Sequence, residues 1–117
     1  MGAWDDTILT EEVNIDFLDE ISELDSQDIL EALEDACLLV VNQVNATEDE
    51  HLNGQAAATI AAIMFGAPYS AGQVLENYPF IRELIGEGSE ALRGAAAQVL
   101  EEADVEYDLE AYLEALN

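Results

Sequence analysis

The chain contains 117 residues, 27 of them acidic, with two arginines, one histidine and no lysine, so its formal net charge at pH 7 is −25. A chain of this length forms one domain, and half of its residues are hydrophobic, which is enough for a core. Binding to a nucleic-acid backbone depends on Lys and Arg that neutralise phosphates, and an anionic membrane surface repels a negative protein. The composition therefore excludes direct nucleic-acid binding and attachment to such a membrane.

Hydrophobic spacing predicts helices along nearly the whole chain. Phe17, Leu18, Ile21 and Leu24 form one apolar stripe on a first helix that begins near Asn14. No alternation typical of a strand has a useful length, and no internal repeat is present. The sequence therefore predicts an all-α protein.

A second helix, capped by Asp25 or Ser26, carries a regular apolar ladder. The ladder consists of Ile29, Leu30, Leu33, Ala36, Cys37, Val40, Val41 and Val44. Leu38 and Leu39 add apolar surface on the opposite side. We therefore expect the second half of this helix to be buried on all sides.

A third helix begins at a capping box formed by Thr47 and Glu50 and ends at Gly66, with Pro68 just beyond. Its body, residues 55–64, is rich in alanine. Small side chains on every side of a helix let neighbouring helices approach closely. We therefore predict that this is the central helix of the fold.

Three shorter helices follow. Pro79 starts a helix that runs through Ile85 and ends at Gly86, Ser89 caps another, and Asp108 begins the last. The prediction is a single acidic helical domain over residues 1–117, built as a bundle of about five or six short helices. The expected core includes Val40, Ile60, Ile63 and Leu100.

The start of the chain and its alanine-rich helix resemble a bacterial family. Residues 1–4 read Met-Gly-Ala-Trp, a helix opens near Asp16, and the alanine-rich helix ends at Gly66 with Pro68 after it. These features resemble the small, acidic, alanine-rich proteins called domain of unknown function 4259. That family continues with a Gly-Thr-Gly turn and an Asn-Asp pair, whereas residues 5–9 here read Asp-Asp-Thr-Ile-Leu. The resemblance implies a shared fold and supplies no catalytic residue.

The compartment predicted from the sequence is the cytoplasm. No stretch approaches the roughly 20 apolar residues that cross a bilayer. Residues 1–6 have neither the positive charge nor the apolar run of a signal peptide. The single Cys37 has no partner for an internal disulfide, as is usual in a reducing compartment.

The candidate chemical motifs all have simpler structural explanations. Glu48 and His51 have the spacing of half a di-iron carboxylate site, which needs a second histidine that the chain lacks. Gly86 and Gly88 imitate a dinucleotide fingerprint, which works only after a strand. Cys37 has no basic neighbour to lower the pKa of its thiol, so we expect a core cysteine. The sequence thus predicts no catalytic, cofactor or metal site; paired carboxylates are the one alternative that implies an enzyme.

The excess of acids admits three interpretations. The favoured one is a non-catalytic binding or regulatory module with a basic protein as its partner. The alternative is a DNA mimic, whose carboxylates imitate phosphates and occupy a DNA-binding protein. The third is adaptation to salt or simple solubility, with no partner. No sequence pattern indicates an oligomeric state.

The acids of the first two helices are the predicted partner surface, because they are dense and have no Lys or Arg among them. The candidates are Asp16, Asp19, Glu20, Glu23, Asp28, Glu31, Glu34 and Asp35. Trp4 either pins the N-terminus onto the bundle, which we favour, or is an exposed anchor for a partner. Tyr69 and Tyr78, in the loop after the alanine-rich helix, are further candidates for an exposed contact.

Overall fold

The computed structural model describes residues 4–42, 45–103, 107 and 109–116. This part of the chain contains eight helices and no strand. In chain order they are α1 (Trp4–Leu9), α2 (Glu12–Ile21), α3 (Ser26–Asn42), α4 (Glu48–Met64), α5 (Gly72–Asn77), α6 (Phe80–Glu83), α7 (Glu90–Glu102) and α8 (Glu110–Leu116). The predicted all-helical class is confirmed, but five or six helices was too low a number. No helix of the described residues is both long and apolar enough to cross a membrane.

Helix α4 lies at the centre of the fold, as its alanine-rich sequence predicts. It packs against α1, α2, α3, α6, α7 and α8. Gly54 and all of residues 56–64 are buried. A Cβ atom at Gly54 would lie 2.3 Å from Cγ2 of Val40, so a glycine is required for the close approach of α3 to α4. The core is therefore built around a helix whose small side chains bring its neighbours near.

Both ends of α4 form as the sequence predicts. The Thr47 hydroxyl accepts a hydrogen bond from the amide of Glu50 at 3.1 Å, and the Glu50 carboxylate accepts one from the amide of Thr47 at 2.8 Å. This reciprocal pair satisfies two amides that a helix start leaves free. At the other end, Gly66 has a φ of 108°, a left-handed conformation that favours glycine and stops the helix.

The starts of α3 and α7 are capped by side chains. The Asp25 carboxylate accepts a hydrogen bond from the amide of Asp28 at 3.0 Å, so Asp25 is the cap and Ser26 is the first helical residue. The Ser89 hydroxyl accepts one from the amide of Leu92 at 3.1 Å. Each cap satisfies an amide that has no partner inside its helix.

Several element boundaries differ from the prediction. Helices α1 and α5 were not expected, because each has six residues and is too short for a clear apolar period. The first predicted helix begins at Glu12 rather than near Asn14, and the helix after Pro79 ends at Glu83 rather than Ile85. Val44 and Asp108 lie outside the described residues.

The expectation that α3 is buried on all sides in its second half was wrong. Leu38, Leu39, Val40 and Val41 are only half-buried, and Val40 therefore does not belong to the fully buried core. Ile60, Ile63 and Leu100 are buried as expected. The reason is that α3 packs against α4 and α7 on its inner side, while its outer side faces solvent.

Candidate functional site

The acids of the predicted partner surface lie on α2, on α3 and in the turn between them. Seven are solvent-exposed and only Glu34 is half-buried. Asp19 has a specific contact, since it accepts a hydrogen bond from the hydroxyl of Tyr78. We call the exposed members of the set the acidic surface. They are Asp16, Asp19, Glu20, Glu23, Asp28, Glu31 and Asp35.

An apolar groove opens beside this surface, where α2, α3 and α4 meet, and we call it the α2–α3–α4 groove. Its volume is about 500 Å³. Its apolar lining comes from α2, α3 and the turn between them and consists of Phe17, Ile21, Leu24, Ala32, Ala36 and Leu39. Pockets of this size hold small ligands or the side chains of a partner.

Large apolar side chains in the groove remain in contact with solvent. Leu24 is 41% exposed, and Phe17 and Leu39 are half-buried. The sequence pattern predicts a buried face for all three. One feature of the sequence indicates that this burial is incomplete. Helix α3 is apolar on two sides, and a helix of this kind is buried only if other helices cover both sides.

The polar lining of the groove is acidic. Glu20 from α2, Asp35 from α3 and Glu50 from α4 all line it, so the structure brings two predicted acids together with one that the prediction left out. Glu50 also caps α4, which fixes the position of its carboxylate. Asn53 adds an amide whose Oδ1 is buried and has no hydrogen-bond partner among the described residues.

The two arginines are not part of the groove. Arg82 is on α6, and Arg93 on α7 pairs with Glu90 of the same helix at 3.1 Å. Neither lines the groove. The charged side chains that line the groove are therefore all carboxylates, which attract positively charged groups.

Trp4 fixes the N-terminal helix to the bundle. It is 5% exposed, and its indole nitrogen donates a hydrogen bond to the hydroxyl of Thr59 on α4 at 2.8 Å. Its ring also lies 5.5 Å from that of Tyr107, measured between centroids. A buried side chain with its polar atom satisfied cannot serve as an exposed anchor, so that alternative does not fit the structure.

Asp5 forms a buried polar junction that the sequence does not predict. Its side chain is 0% exposed, and one carboxylate oxygen accepts hydrogen bonds from the amides of Ser70 at 2.6 Å and Ala71 at 2.9 Å. The other oxygen accepts one from the hydroxyl of Tyr112 at 3.0 Å. Burial and the charge of Asp5 raise the pKa of Tyr112 to about 12. The junction connects α1, the segment before α5 and α8, and its role is structural.

The two loop tyrosines differ in their environment. Tyr69 is 42% exposed. Tyr78 is half-buried, and its hydroxyl donates a hydrogen bond to the Asp19 carboxylate at 2.5 Å. That hydrogen bond is the main reason that the pKa of Tyr78 is raised to about 12. Tyr78 thus ties α2 to the segment between α5 and α6, and Tyr69 is the more accessible of the two.

The residues considered for catalysis have structural roles or lie at the surface. Cys37 is buried, and burial, together with the charge of Glu34, raises the pKa of its thiol to about 12, which disfavours the reactive thiolate. His51 is exposed. Gly86 lies in the turn after α6 with a φ of 88°, and its amide donates a hydrogen bond to the carbonyl of Met64 at the end of α4. Within the ranges that the structure describes, no group of three or more His, Cys, Asp or Glu could hold a metal ion.

Comparisons with known proteins give no relative for this chain: no family model, no curated protein and no solved structure matches it. The resemblance to a bacterial family therefore stays a prediction. Its most specific mark is the Met-Gly-Ala-Trp start, of which residues 1–3 lie outside the described part. The groove and the acidic surface are the candidate functional features of the described residues.

Proposed function

We propose that this chain is a non-catalytic binding or regulatory module whose partner is a basic protein. The observation that carries the proposal is the exposure of eight acids within residues 16–35, the seven of the acidic surface and Asp25, in a segment that contains no Lys or Arg. A surface of one sign draws oppositely charged proteins inward and raises their association rate. The proposal includes a cytoplasmic location and no direct binding to nucleic acid.

Repulsion within the acidic surface supports a role in contact. Asp28, Glu31 and Asp35 are three or four residues apart on α3, so neighbouring pairs lie on one face of the helix. Each such pair of like charges costs the isolated helix a few tenths of a kcal/mol, roughly 0.2–0.5. A basic partner relieves this repulsion, which gives the binding a physical source in addition to steering.

The test is capture of basic proteins from an extract of the source cell. The immobilised chain is incubated with extract in dilute buffer and in high salt, and bound proteins are identified. We expect a small set of basic proteins to be retained in dilute buffer and released by salt, because screening shortens to roughly 10 Å near 0.1 M salt. If no basic protein is retained in dilute buffer, the proposal is wrong and the acids serve solubility or salt adaptation.

DNA mimicry is the alternative form of this proposal. The exposed carboxylates on α2 and α3 are the feature that such a mimic requires. Competition with duplex DNA separates the two forms. If DNA displaces the captured protein, the acidic surface occupies a DNA site, whereas a captured protein that DNA does not displace indicates a dedicated protein–protein contact.

A further inference from the structure

We propose that the α2–α3–α4 groove binds an amphipathic basic helix of the partner, with the apolar face of that helix in the groove. The inference rests on the proposed function, since it assumes a basic partner. It adds where the partner binds and what chemistry its contact segment has. Helix-in-groove recognition of this kind uses apolar anchors at spacings of three or four residues.

The size of the groove fits a few side chains. A cavity of roughly 150 Å³ holds one benzene-sized group, so the groove, at about 500 Å³, has room for about three. Three anchors at positions i, i+3 or i+4, and i+7 of a helix span roughly 10 Å, because each residue rises about 1.5 Å. One short helical segment therefore supplies the right number of side chains.

Apolar side chains that line the groove are partly exposed to solvent. Leu24 is 41% exposed, and Leu39 and Phe17 are half-buried. The described part of the chain therefore leaves all three partly uncovered. Exposed apolar surface with a polar rim is typical of contact sites for another protein.

The charges around the groove select the occupant. Glu20, Asp35 and Glu50 line the groove from three different helices, so each helix offers a carboxylate to a positive group of the occupant. A second copy of this chain would bring acids against acids, with a net charge of −25 on each partner. Anionic lipids and nucleic acids are repelled in the same way. A helix with an apolar face flanked by Lys or Arg can pack that face against the apolar lining and pair its charges with the carboxylates.

The variants that test the site leave the net charge unchanged. Ala32→Phe fills the groove from α3, and Ala32 is half-buried, so the larger ring has a route to solvent. Ala91→Phe is the matched control, because Ala91 is an exposed residue of α7 outside the groove. Leu24→Ser removes an exposed apolar side chain from the groove. It is a second, independent variant in case Ala32→Phe does not fold. Circular dichroism verifies the helix content of each variant.

The probes are two fluorescent synthetic peptides of about 14 residues, or about four helical turns, made of leucine and lysine. One places its leucines on a single helical face, and the other has the same composition with the leucines spread around the helix. Fluorescence anisotropy gives the dissociation constants. We expect the one-faced peptide to bind the wild-type chain at least about tenfold more tightly than the permuted one. Ala32→Phe and Leu24→Ser reduce that ratio, and Ala91→Phe preserves it.

Each contrary result has a distinct meaning. Equal affinities of the wild-type chain for the two peptides overturn the groove proposal and leave the proposed function standing, because charge alone then accounts for binding. A ratio that survives both Ala32→Phe and Leu24→Ser also overturns it, since the apolar contact then lies elsewhere. If neither peptide binds even in dilute buffer, both the groove proposal and the proposed function fail.

Discussion

Helices α3 and α4 have the same length and opposite environments. Each contains 17 residues, yet ten residues of α4 are buried and only three of α3. Helix α4 has small side chains that let neighbours surround it. Helix α3 carries larger apolar side chains, among them Leu38, Leu39 and Val41, but it is covered only from its inner side. An apolar surplus on a helix of a highly charged protein can thus remain at the surface, where it is accessible to a partner.

The largest expected effect is a difference in unfolding free energy between truncation of a buried side chain on α4 and truncation of a half-buried one on α3. Ile63→Ala removes a fully buried side chain from α4 and should lower the free energy of unfolding by about 2–5 kcal/mol. Leu39→Ala removes a half-buried side chain from α3 and should cost less than about 1 kcal/mol. Urea denaturation of both variants measures the difference. Equal losses would mean that α3 contributes to the core as much as α4 does.

A pair of glycine substitutions tests the contact between the same helices. Gly54→Ala places a methyl group 2.3 Å from Cγ2 of Val40 and should destabilise the fold by about 1–3 kcal/mol. Gly94→Ala is the control: Gly94 lies inside α7, is exposed, and an added Cβ meets nothing within 4 Å. Alanine there should stabilise the protein by roughly 0.5–1 kcal/mol through helix propensity. If both substitutions change stability in the same direction, α3 and α4 do not pack closely at Gly54.

Alkaline pH should destabilise the fold, because the folded state keeps two tyrosine hydroxyls and one cysteine thiol protonated. The pKa values of Tyr78 and Tyr112 are raised from 10.0 to about 12, and that of Cys37 from 9.0 to about 12. The unfolded chain therefore loses these protons first, so stability is intact below about pH 9 and declines as the pH rises towards 12. Urea denaturation at several pH values measures the decline, and Tyr112→Phe should make it shallower. A decline of the same slope in that variant would show that the Asp5 junction does not hold the proton.

The smallest expected effect is that of salt on thermal stability. Repulsion among the acids weakens the fold in dilute buffer, and screening relieves it near 0.1 M salt. We expect the unfolding midpoint to rise by a few degrees, which corresponds to roughly 0.5–1 kcal/mol for a domain of this size. A non-ionic solute at the same osmolality is the control. A flat response to salt would mean that the acids are too dispersed to repel one another.

The sequence predicts the features that depend on local rules. The capping box of Thr47 and Glu50, the cap at Ser89 and the stop at Gly66 all form, because each depends on residues a few positions apart. These features need no knowledge of how distant segments meet.

The groove and the Asp5 junction depend on distant segments, and the sequence does not reveal them. Asp5 meets Ser70 and Tyr112 across 65 and 107 positions, and nothing in its neighbourhood distinguishes it from the other acids. The sequence around Glu50 predicts its role in capping α4. That Glu50 also lines the groove depends on the packing of α4 beside α2 and α3, which the sequence does not show. The exposure of Leu39 likewise depends on which sides of α3 other helices cover.

Under the proposed function, the acidic surface on α2 and α3, rather than net charge alone, receives the basic partner. The variant Glu20→Lys/Glu31→Lys/Asp35→Lys reverses three of its exposed acids, and the control Glu76→Lys/Glu83→Lys/Glu87→Lys reverses three exposed acids elsewhere with the same change in net charge. The decisive measurement is the association rate constant of the captured basic partner with both variants in dilute buffer. We expect the first variant to associate at least roughly tenfold more slowly than the control, because steering acts through local fields. Equal rate constants for the two variants would show that net charge alone steers the partner and that the acidic surface is not its site.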